Sequence, residues 1–367
     1  MFFEKKVLHI VPHLDFGGVE KHMEIISSFS GYSKYKHVFL VIGKGGTAED
    51  KIKNNNSEVI CLNLNVNVPN FLNIVWTFIY IQNIKPLIVH THGGQANFPG
   101  IIAAFLSKVP VRISEEVGIS VHSKIGKIGY FFVYKLSHSI IAVSDAVKNN
   151  LKIQGLVNNN KIKRIYNPVL FSEQNRKIRM GCDPFKIGFV GRLVCEKNPI
   201  GLVRAAIILK DKYPYFILKI IGDGPQKEEL IQIIQKFNLS KNIELLGFHP
   251  NPEELLLDCD FYIQPSIAEG FGLALCEAMG LGLPVIVTAN GGMPEIVDHG
   301  KTGWIIENPS PENLAEAMYL FIKIGRLKLF EMGISAKESV INRFTPELYL
   351  TELEILYQEL TNRKFAG

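Results

Sequence analysis

The chain has 367 residues, of which 47% are hydrophobic and 20% charged, and its formal net charge is +5. This length exceeds that of a typical single core and favours two domains, and the composition is ordinary for a globular protein. The sequence has no compact Lys/Arg stripe with interleaved aromatic residues, which argues against a nucleic-acid-binding protein.

Short apolar segments alternate with helical stretches in the first half of the chain. This alternation is typical of an α/β fold with a parallel sheet. The predicted strands are 7–11, 37–42, 58–62, 87–90, 111–114, 140–143 and 163–165. The predicted helices include 19–29, 71–83 and 100–107.

A second α/β series follows a polar, charged segment that we interpret as an interdomain linker. Its predicted strands are 186–190, 216–221, 243–246, 261–264, 285–288 and 303–306. Its predicted helices include 199–212, 226–237 and 272–280, and a last amphipathic helix covers 346–360. The predicted division is an N-terminal domain, a linker, a C-terminal domain and a final helix, at 1–168, 169–185, 186–345 and 346–367.

The cysteines and the apolar segments bear on the cellular compartment. The five cysteines are scattered and form no C-x-x-C pair, so we expect neither a zinc site nor a disulfide framework, and a reduced cytosolic compartment. Met-Phe-Phe at the start is followed at once by charged residues, unlike a signal peptide. The longest apolar segment, 71–81, is too short to span a bilayer. We expect a cytoplasmic protein with peripheral membrane contact at most.

The strongest chemical signal lies between Gln264 and Thr288. Glu269 and Glu277 are eight residues apart, separated by a glycine-rich turn from a strand into a helix that opens near Gly272. Free backbone N–H groups at such a helix start can bind a phosphate or a sugar hydroxyl. Taken singly, Glu269 equally fits a solvated loop and Glu277 an exposed helix position.

The whole string resembles the E-x7-E signature of the retaining nucleotide-sugar glycosyltransferases of family 4. Their GT-B fold consists of two facing Rossmann-like domains. The resemblance implies that Glu269 faces the donor sugar, that Glu277 holds the ribose, and that no metal or other cofactor is required. The donor-binding residues that it implies in this string are Gly270, Phe271, Gly272, Leu273 and Glu277.

A second string, beginning at Gly188, resembles the strand and loop that open the C-terminal domain of this family. The resemblance implies that Arg192 and Lys197 grip the donor diphosphate. Two fixed cations would neutralise the charge that builds on a departing phosphate; the alternative is a pair of surface charges. Other segments resemble the family's nucleotide-side loop, at Gly222, and the backbone that holds the base, near Phe248.

The resemblance is looser in the N-terminal half. Gly17 and Gly18 follow the first strand and open a helix, where glycines let the backbone approach a phosphate; a simple turn is the alternative. His92 ends another strand, at the position where the family places a histidine near the sugar, although a histidine at a strand end is more often structural.

One motif argues for a metal and is set aside. Asp258-Cys259-Asp260 spells the D-x-D that binds a metal in the other large glycosyltransferase fold. Here it bridges a helix end and the strand 261–264, so we interpret it as a structural boundary. We therefore expect no metal site.

The sequence thus predicts a retaining, metal-independent glycosyltransferase with UDP favoured over GDP, and with Arg192, Lys197, Glu269 and His92 as its catalytic residues. The Asn-, Lys- and Ile-rich composition fits a bacterium and surface polysaccharide synthesis. The basic, aromatic stretch 124–135 fits either docking on the inner face of the cytoplasmic membrane, to reach a lipid-linked glycan, or ordinary packing. Two alternatives remain: a sugar-nucleotide epimerase of the same fold and a catalytically silent nucleotide-binding subunit.

Overall fold

The structure, a computed structural model, describes residues 5–365 except Phe16, Asn175, Met180 and Cys182, and for Tyr32 the backbone alone. The chain divides into two compact units. Unit 1 comprises Met1–Pro168 and Phe344–Gly367, and unit 2 comprises Val169–Arg343. The first residues of the chain, on which the expected lack of a signal peptide rests, fall outside the described residues, as does Cys182.

Unit 1 is built on a seven-stranded sheet in the order β3-β2-β1-β4-β5-β6-β7, and every neighbouring pair is parallel. Its strands are β1 (Lys6–Val11), β2 (Lys36–Val41), β3 (Glu58–Cys61), β4 (Ile88–His92), β5 (Val111–Glu116), β6 (Ser139–Ala142) and β7 (Ile162–Arg164). Its first helices are α1 (Gly18–Ser28), α2 (Thr47–Asn54), α3 (Phe71–Ile84), α4 (Gly94–Leu106), α5 (Lys124–Leu136) and α6 (Asp145–Ile153).

Unit 2 has a six-stranded parallel sheet in the order β10-β9-β8-β11-β12-β13. Its strands are β8 (Phe185–Val190), β9 (Phe216–Ile221), β10 (Ile243–Gly247), β11 (Phe261–Gln264), β12 (Val285–Thr288) and β13 (Gly303–Ile306). Its helices are α7 (Pro199–Lys212), α8 (Lys227–Lys236), α9 (Pro252–Leu256), α10 (Leu273–Gly280), α11 (Pro311–Ile324) and α12 (Arg326–Ile341). Both sheets wind outward in two directions from a central strand, which confirms the predicted pair of Rossmann-like, doubly wound folds.

The last helix, α13 (Pro346–Phe365), belongs to unit 1. Its buried apolar residues are spaced four, three and one apart, a spacing that places them on one stripe of the helix. These residues are Tyr349, Leu353, Leu356 and Tyr357. The stripe joins the core of unit 1 although some 175 residues of unit 2 separate it from β7 in sequence.

The sheet of unit 1 has a separate core layer on each face, because successive side chains of a strand point to opposite faces. Val7 and Val11 of β1 face the layer that includes α1 and α13. Leu8 and Ile10 face the layer that includes α3 and α4. His9 alternates with the second pair, so it lies on the same face as Val7 and Val11, beneath α1 and α13.

Part of the predicted linker is bound to unit 2. Arg176 is buried, and its guanidinium donates to the backbone oxygens of Cys259 and Asp260. Arg326 of α12 likewise donates to the backbone oxygen of Asp183. Arg176 of the predicted linker therefore satisfies backbone carbonyls of unit 2 and is not solvated.

The helix predicted at 100–107 begins six residues earlier, at Gly94. A proline in a helix interior usually breaks or kinks the helix, because it removes a backbone donor and its ring clashes with the preceding turn. The structure instead accommodates Pro99 inside α4. None of the helices in the described part of the chain is long and apolar enough to cross a lipid bilayer.

Candidate functional site

The winding of the sheet in unit 2 reverses between β8 and β11. At such a reversal the loops after the two central strands diverge and leave a crevice, the usual ligand site of an open α/β sheet. The loop after β8 carries Arg192 and Lys197, and the loop after β11 carries Glu269. Two motifs that are more than seventy residues apart in sequence thus flank one end of the sheet.

Lys197 and Glu269 are in direct contact. The Lys197 ammonium forms an ion pair with Oε2 of Glu269. The same oxygen accepts hydrogen bonds from Gln264 Nε2 at 3.1 Å and from Ser266 Oγ at 3.4 Å. Within the described residues no hydrogen bond reaches Oε1 of Glu269, so the carboxylate is oriented through one oxygen and the other can accept from a ligand hydroxyl.

Arg192 differs from Lys197 in its surroundings. Its side chain is exposed and forms no ion pair within the part of the chain that the structure describes. The backbone beside it is fixed, because Gly191 N donates to Ile221 O at 3.0 Å and Leu193 N donates to Asp223 O at 3.0 Å. A mobile guanidinium on an anchored loop is available to an anionic ligand.

Two glycines let the loops of this site approach one another. Gly222 has a φ of +146°, and a Cβ there would lie 2.0 Å from the backbone oxygen of Gly191. Gly291 has a φ of +69°, and a Cβ there would lie 1.8 Å from the backbone oxygen of Glu269. Only glycine fits such contacts. Gly222 was predicted at the site, whereas Gly291 was not, although the run Asn290-Gly291-Gly292 signals a tight turn.

The helix α10 begins directly after the glycine-rich turn. Gly272 is its N-cap with a φ of +116°, and no side chain caps the first turn, which starts at Leu273. The turn itself is packed, since Gly270 and Phe271 are buried. Glu277 lies half-buried one turn further along α10. The uncapped N–H groups and the Glu277 carboxylate therefore belong to one short helix, as the sequence predicts.

Phe248 follows β10, the outermost strand on its side of the sheet. Its ring is 50% exposed. An aromatic ring half-open to solvent is able to stack on a planar ligand. Its predicted role beside the base stays a prediction.

Both aspartates of the D-x-D motif form ion pairs with basic side chains. Asp258 pairs with Lys186 at 2.5 Å and with Lys219 at 2.6 Å. Asp260 pairs with Arg179 and with Arg326, each at 3.0 Å. These pairs neutralise both carboxylates, which supports the interpretation of this motif as a structural boundary.

The predicted residues of unit 1 lie in two different environments. Gly17 and Gly18 are exposed where α1 begins, after β1. His92 ends the neighbouring strand β4 and is fully buried. Its Nε2 lies 2.9 Å from Nδ1 of His9, and its Nδ1 lies 2.9 Å from Oε2 of Glu115. Both ring nitrogens face protein atoms, because β1 and β5 flank β4, so His92 presents neither nitrogen to solvent.

His92 is one member of a buried cluster that sequence analysis did not identify. We call it the histidine cluster; its residues are His9, His22, His37, His90, His92 and Glu115. Strand register brings them together, since His9 is level with His90 and His92 with Glu115. The sequence signal that could have revealed this cluster is the presence of titratable residues inside otherwise apolar strands.

The electrostatics of the histidine cluster follow from its burial. Burial and the neighbouring His90 lower the pKa of His92 to about 3. Burial lowers the pKa of His22 to about 4, although the nearby Glu115 opposes that shift. Burial alone would raise the pKa of Glu115, but His92 and His22 hold it well below its usual range. At neutral pH the cluster thus combines an ionised Glu115 carboxylate with the uncharged imidazoles of His22 and His92.

Comparison with known proteins connects this geometry to a family. Residues 171–336 match the model of the family "Glycosyl transferases group 1". The putative colanic acid biosynthesis glycosyltransferase WcaL of Escherichia coli is 31% identical over 193 residues, which is 50% of this chain and 48% of WcaL. The chain thus spans about half the length of that relative. The capsular polysaccharide biosynthesis glycosyltransferase CapM of Staphylococcus aureus is 28% identical over 74% of this chain and 77% of its own.

Among solved structures, Anabaena Alr3699/HepE in complex with UDP and glucose superposes with a TM-score of 0.81. It covers 96% of this chain and 100% of its own at 19% identity, a likeness that concerns the fold. The family match falls on unit 2, where the crevice between the loops after β8 and β11 lies. Residues 171–336 of this chain thus resemble the group 1 glycosyl transferases, and its two Rossmann-like sheets have the GT-B fold.

Proposed function

We propose that this protein is a retaining glycosyltransferase of bacterial surface polysaccharide synthesis. It moves a sugar from a nucleoside diphosphate donor, with UDP favoured over GDP, to a hydroxyl of a glycan or lipid-linked acceptor. The observation that carries the proposal is the Lys197–Glu269 pair at the switch point of the sheet in unit 2, with the exposed Arg192 on the same loop as Lys197. Relatives named for colanic acid and capsular polysaccharide biosynthesis, and a fold neighbour solved with UDP and glucose, support the substrate class.

The proposed reaction breaks the bond between the anomeric carbon and the diphosphate oxygen. Arg192 and Lys197 neutralise the charge that develops on the departing diphosphate, helped by the uncapped N–H groups of α10. The acceptor oxygen bonds to the anomeric carbon on the face that the diphosphate leaves, and the acceptor proton passes to the diphosphate. Attack on that face retains the anomeric configuration and needs neither a nucleophile of the protein nor a metal ion.

The two glutamates position the donor in this proposal. Glu269 is held through Oε2, so its Oε1 is oriented to accept from a sugar hydroxyl. Glu277, on α10, accepts from the ribose hydroxyls, and Phe248 lies beside the base. Gly17 and Gly18, at the start of α1 in unit 1, stay predicted phosphate-binding residues. The proposal assigns no donor contact to His92, because both of its nitrogens face protein.

Thermal unfolding with UDP, GDP and their sugars, each with and without EDTA, tests the donor site. A ligand at about 100 times its dissociation constant should stabilise the folded chain by about 2.7 kcal/mol. We expect a shift for one nucleotide class, of the same size in EDTA, that is lost in Glu277→Ala. Glu229→Ala, which removes an exposed carboxylate from α8 of the same unit, is the control and should keep the shift. A chain that no nucleotide stabilises would contradict the proposal.

The helices on one side of unit 1 present a surface that fits a lipid-linked acceptor. Helix α5 packs through Tyr130, Val133 and Tyr134, and α3 and α5 both pack against α4. The outer faces of α3 and α5 together expose large apolar side chains. These are Phe71, Leu72, Trp76, Ile125, Ile128, Phe131 and Phe132, and lysines of α5 accompany them. We propose that this apolar helix surface docks on the cytoplasmic face of an anionic membrane.

Sedimentation with lipid vesicles tests this docking. We expect binding to vesicles that contain anionic lipid, weaker binding in high salt, and little binding to purely zwitterionic vesicles. The double variant Lys124→Glu/Lys127→Glu should lose most of the binding. The variant Lys236→Glu/Lys241→Glu changes the net charge equally in unit 2 and should keep it. Equal losses in both variants would show that net charge, not this surface, governs adsorption.

A further inference from the structure

Several buried polar atoms of the histidine cluster surround Glu115 without an aligned hydrogen bond. They are both ring nitrogens of His22, Nδ1 of His92, Nε2 of His90 and both oxygens of Glu115. All of these side chains are at most 1% exposed. Buried polar atoms in proteins nearly always have a hydrogen-bond partner, so a group of atoms without one at a single point indicates a missing partner.

The spacing of three of these side chains fits a small cation. One ligand atom each from His22, His92 and Glu115 lie within 4.8 Å of one another. Glu115 Oε2 is 2.9 Å from His92 Nδ1, and Glu115 Oε1 is 3.6 Å from His22 Nδ1. Ligands about 2.1 Å from a tetrahedral ion are about 3.4 Å apart, which falls between these two distances.

The ring nitrogen of His92 that does not face this point has a partner of the kind that metal sites use. His92 keeps its Nε2 at 2.9 Å from His9 Nδ1, and His9 Nε2 is 2.8 Å from His37 Nδ1. A hydrogen bond at the far nitrogen fixes the tautomer of a ligating histidine. With a metal on Nδ1 of His92, each Nε2–H in this series donates to the next Nδ1. His90 supports the carboxylate, since its Nε2 is 3.0 Å from Glu115 Oε2.

A second combination, His9 with His90 and His92, is also close enough to hold an ion. Both ring nitrogens of His9, which this set requires, are already occupied, because Nδ1 contacts His92 and Nε2 contacts His37. His90 Nδ1 is also occupied, since it contacts the Tyr357 hydroxyl at 2.8 Å. The charges also favour the set that contains the carboxylate. Within the described residues, no lysine or arginine pairs with Glu115, and a divalent cation would neutralise this buried anion.

We propose that His22, His92 and Glu115 form a buried binding site for a divalent transition metal, with Zn²⁺ as the best match. Imidazole and carboxylate ligands suit this ion, and a His₂Glu set is one of its recognised ligand sets. The site joins α1 to β4 and β5 inside unit 1. Its role is structural, and the sugar-transfer chemistry proposed for unit 2 does not use it.

Metal analysis of the full-length, tag-free protein, produced in zinc-supplemented medium, tests the site. We expect about one equivalent of zinc per chain after extensive dialysis. His22→Gln and Glu115→Gln should each lose most of it. His138→Gln, a half-buried histidine of the same unit that does not touch Glu115, should retain it. A wild-type protein without a stoichiometric first-row metal overturns the proposal, as does a metal retained equally by all three variants.

Cobalt substitution keeps the test decisive if the variants do not fold. The wild-type protein, stripped with a strong chelator and reloaded with Co²⁺, should show the visible absorption bands of a low-coordinate nitrogen and oxygen site; their absence overturns the proposal. The chelator should also lower the melting temperature of the protein alone. The rise in melting temperature caused by a nucleotide is measured from the melting temperature of the chelator-treated protein alone. The metal site and the proposed donor site are therefore tested independently of each other.

Discussion

Replacing Arg192 with alanine should lower kcat/KM for sugar transfer by about 10²–10³ while leaving the melting temperature unchanged. That range is typical for removing one preorganised charge partner of a transition state. The two effects separate because Arg192 is exposed and forms no ion pair within the described residues, so the folded chain does not depend on it. A Lys197→Ala variant would not separate the effect on kcat/KM from the effect on stability, because it would also remove the ion-pair partner of Glu269.

Steady-state nucleotide release with a saturating acceptor measures this effect. Arg192→Lys keeps the charge but loses the planar guanidinium, so it should recover only part of the rate. Arg204→Ala removes an exposed arginine from α7 of the same unit and is the matched control. If Arg192→Ala matched the control in kcat/KM, the assignment of the diphosphate to this loop would be wrong.

Replacing Tyr357 with alanine should lower the free energy of unfolding of unit 1 by about 3–5 kcal/mol, the usual cost of removing a buried aromatic side chain. Its ring is fully buried and meets Tyr35 edge-on, and its hydroxyl lies 2.8 Å from His90 Nδ1. Tyr357→Phe keeps the ring and should cost about 1–3 kcal/mol, because it leaves the imidazole nitrogen of His90 unsatisfied.

The two tryptophans of the chain allow this effect to be assigned to unit 1. Trp76 lies in unit 1 and Trp304 in unit 2, so a Trp304→Phe background leaves fluorescence that reports unit 1. Urea unfolding in that background measures the change. Ile355→Ala, at a half-exposed position of the same helix, should change stability by at most about 0.5 kcal/mol. An equal loss in Ile355→Ala and Tyr357→Ala would mean that α13 does not pack as described.

The sequence predicted the strands well because most of them are short, largely apolar runs between polar turns. All six strands described in unit 2 were predicted with their observed bounds, or within one residue of them, such as β9 (Phe216–Ile221) and β12 (Val285–Thr288). Helix ends were harder to predict. The helix α4 begins six residues before its predicted start and contains Pro99, a residue that local rules disfavour in a helix interior.

The candidate site was predictable where residues are close in sequence and not where the sheet brings them together. The string around Glu269 and Glu277 indicated a turn and a helix start, and the structure has both. The contact of Lys197 with Glu269 depends on β8 and β11 being neighbours, which no local pattern reveals. For the same reason the sequence did not predict the histidine cluster, because its members come from four strands and one helix.

The path of the chain through unit 1 has a consequence for the order in which the protein can form. At about 5–20 residues per second, a ribosome needs roughly 10–35 s to synthesise the residues between Pro168 and Phe344. Throughout that interval one face of the first sheet, with its buried histidines, lacks the helix that covers it. The nascent chain therefore carries an open, partly polar core until its final residues emerge, and that is the period in which chaperones and proteases have access to it.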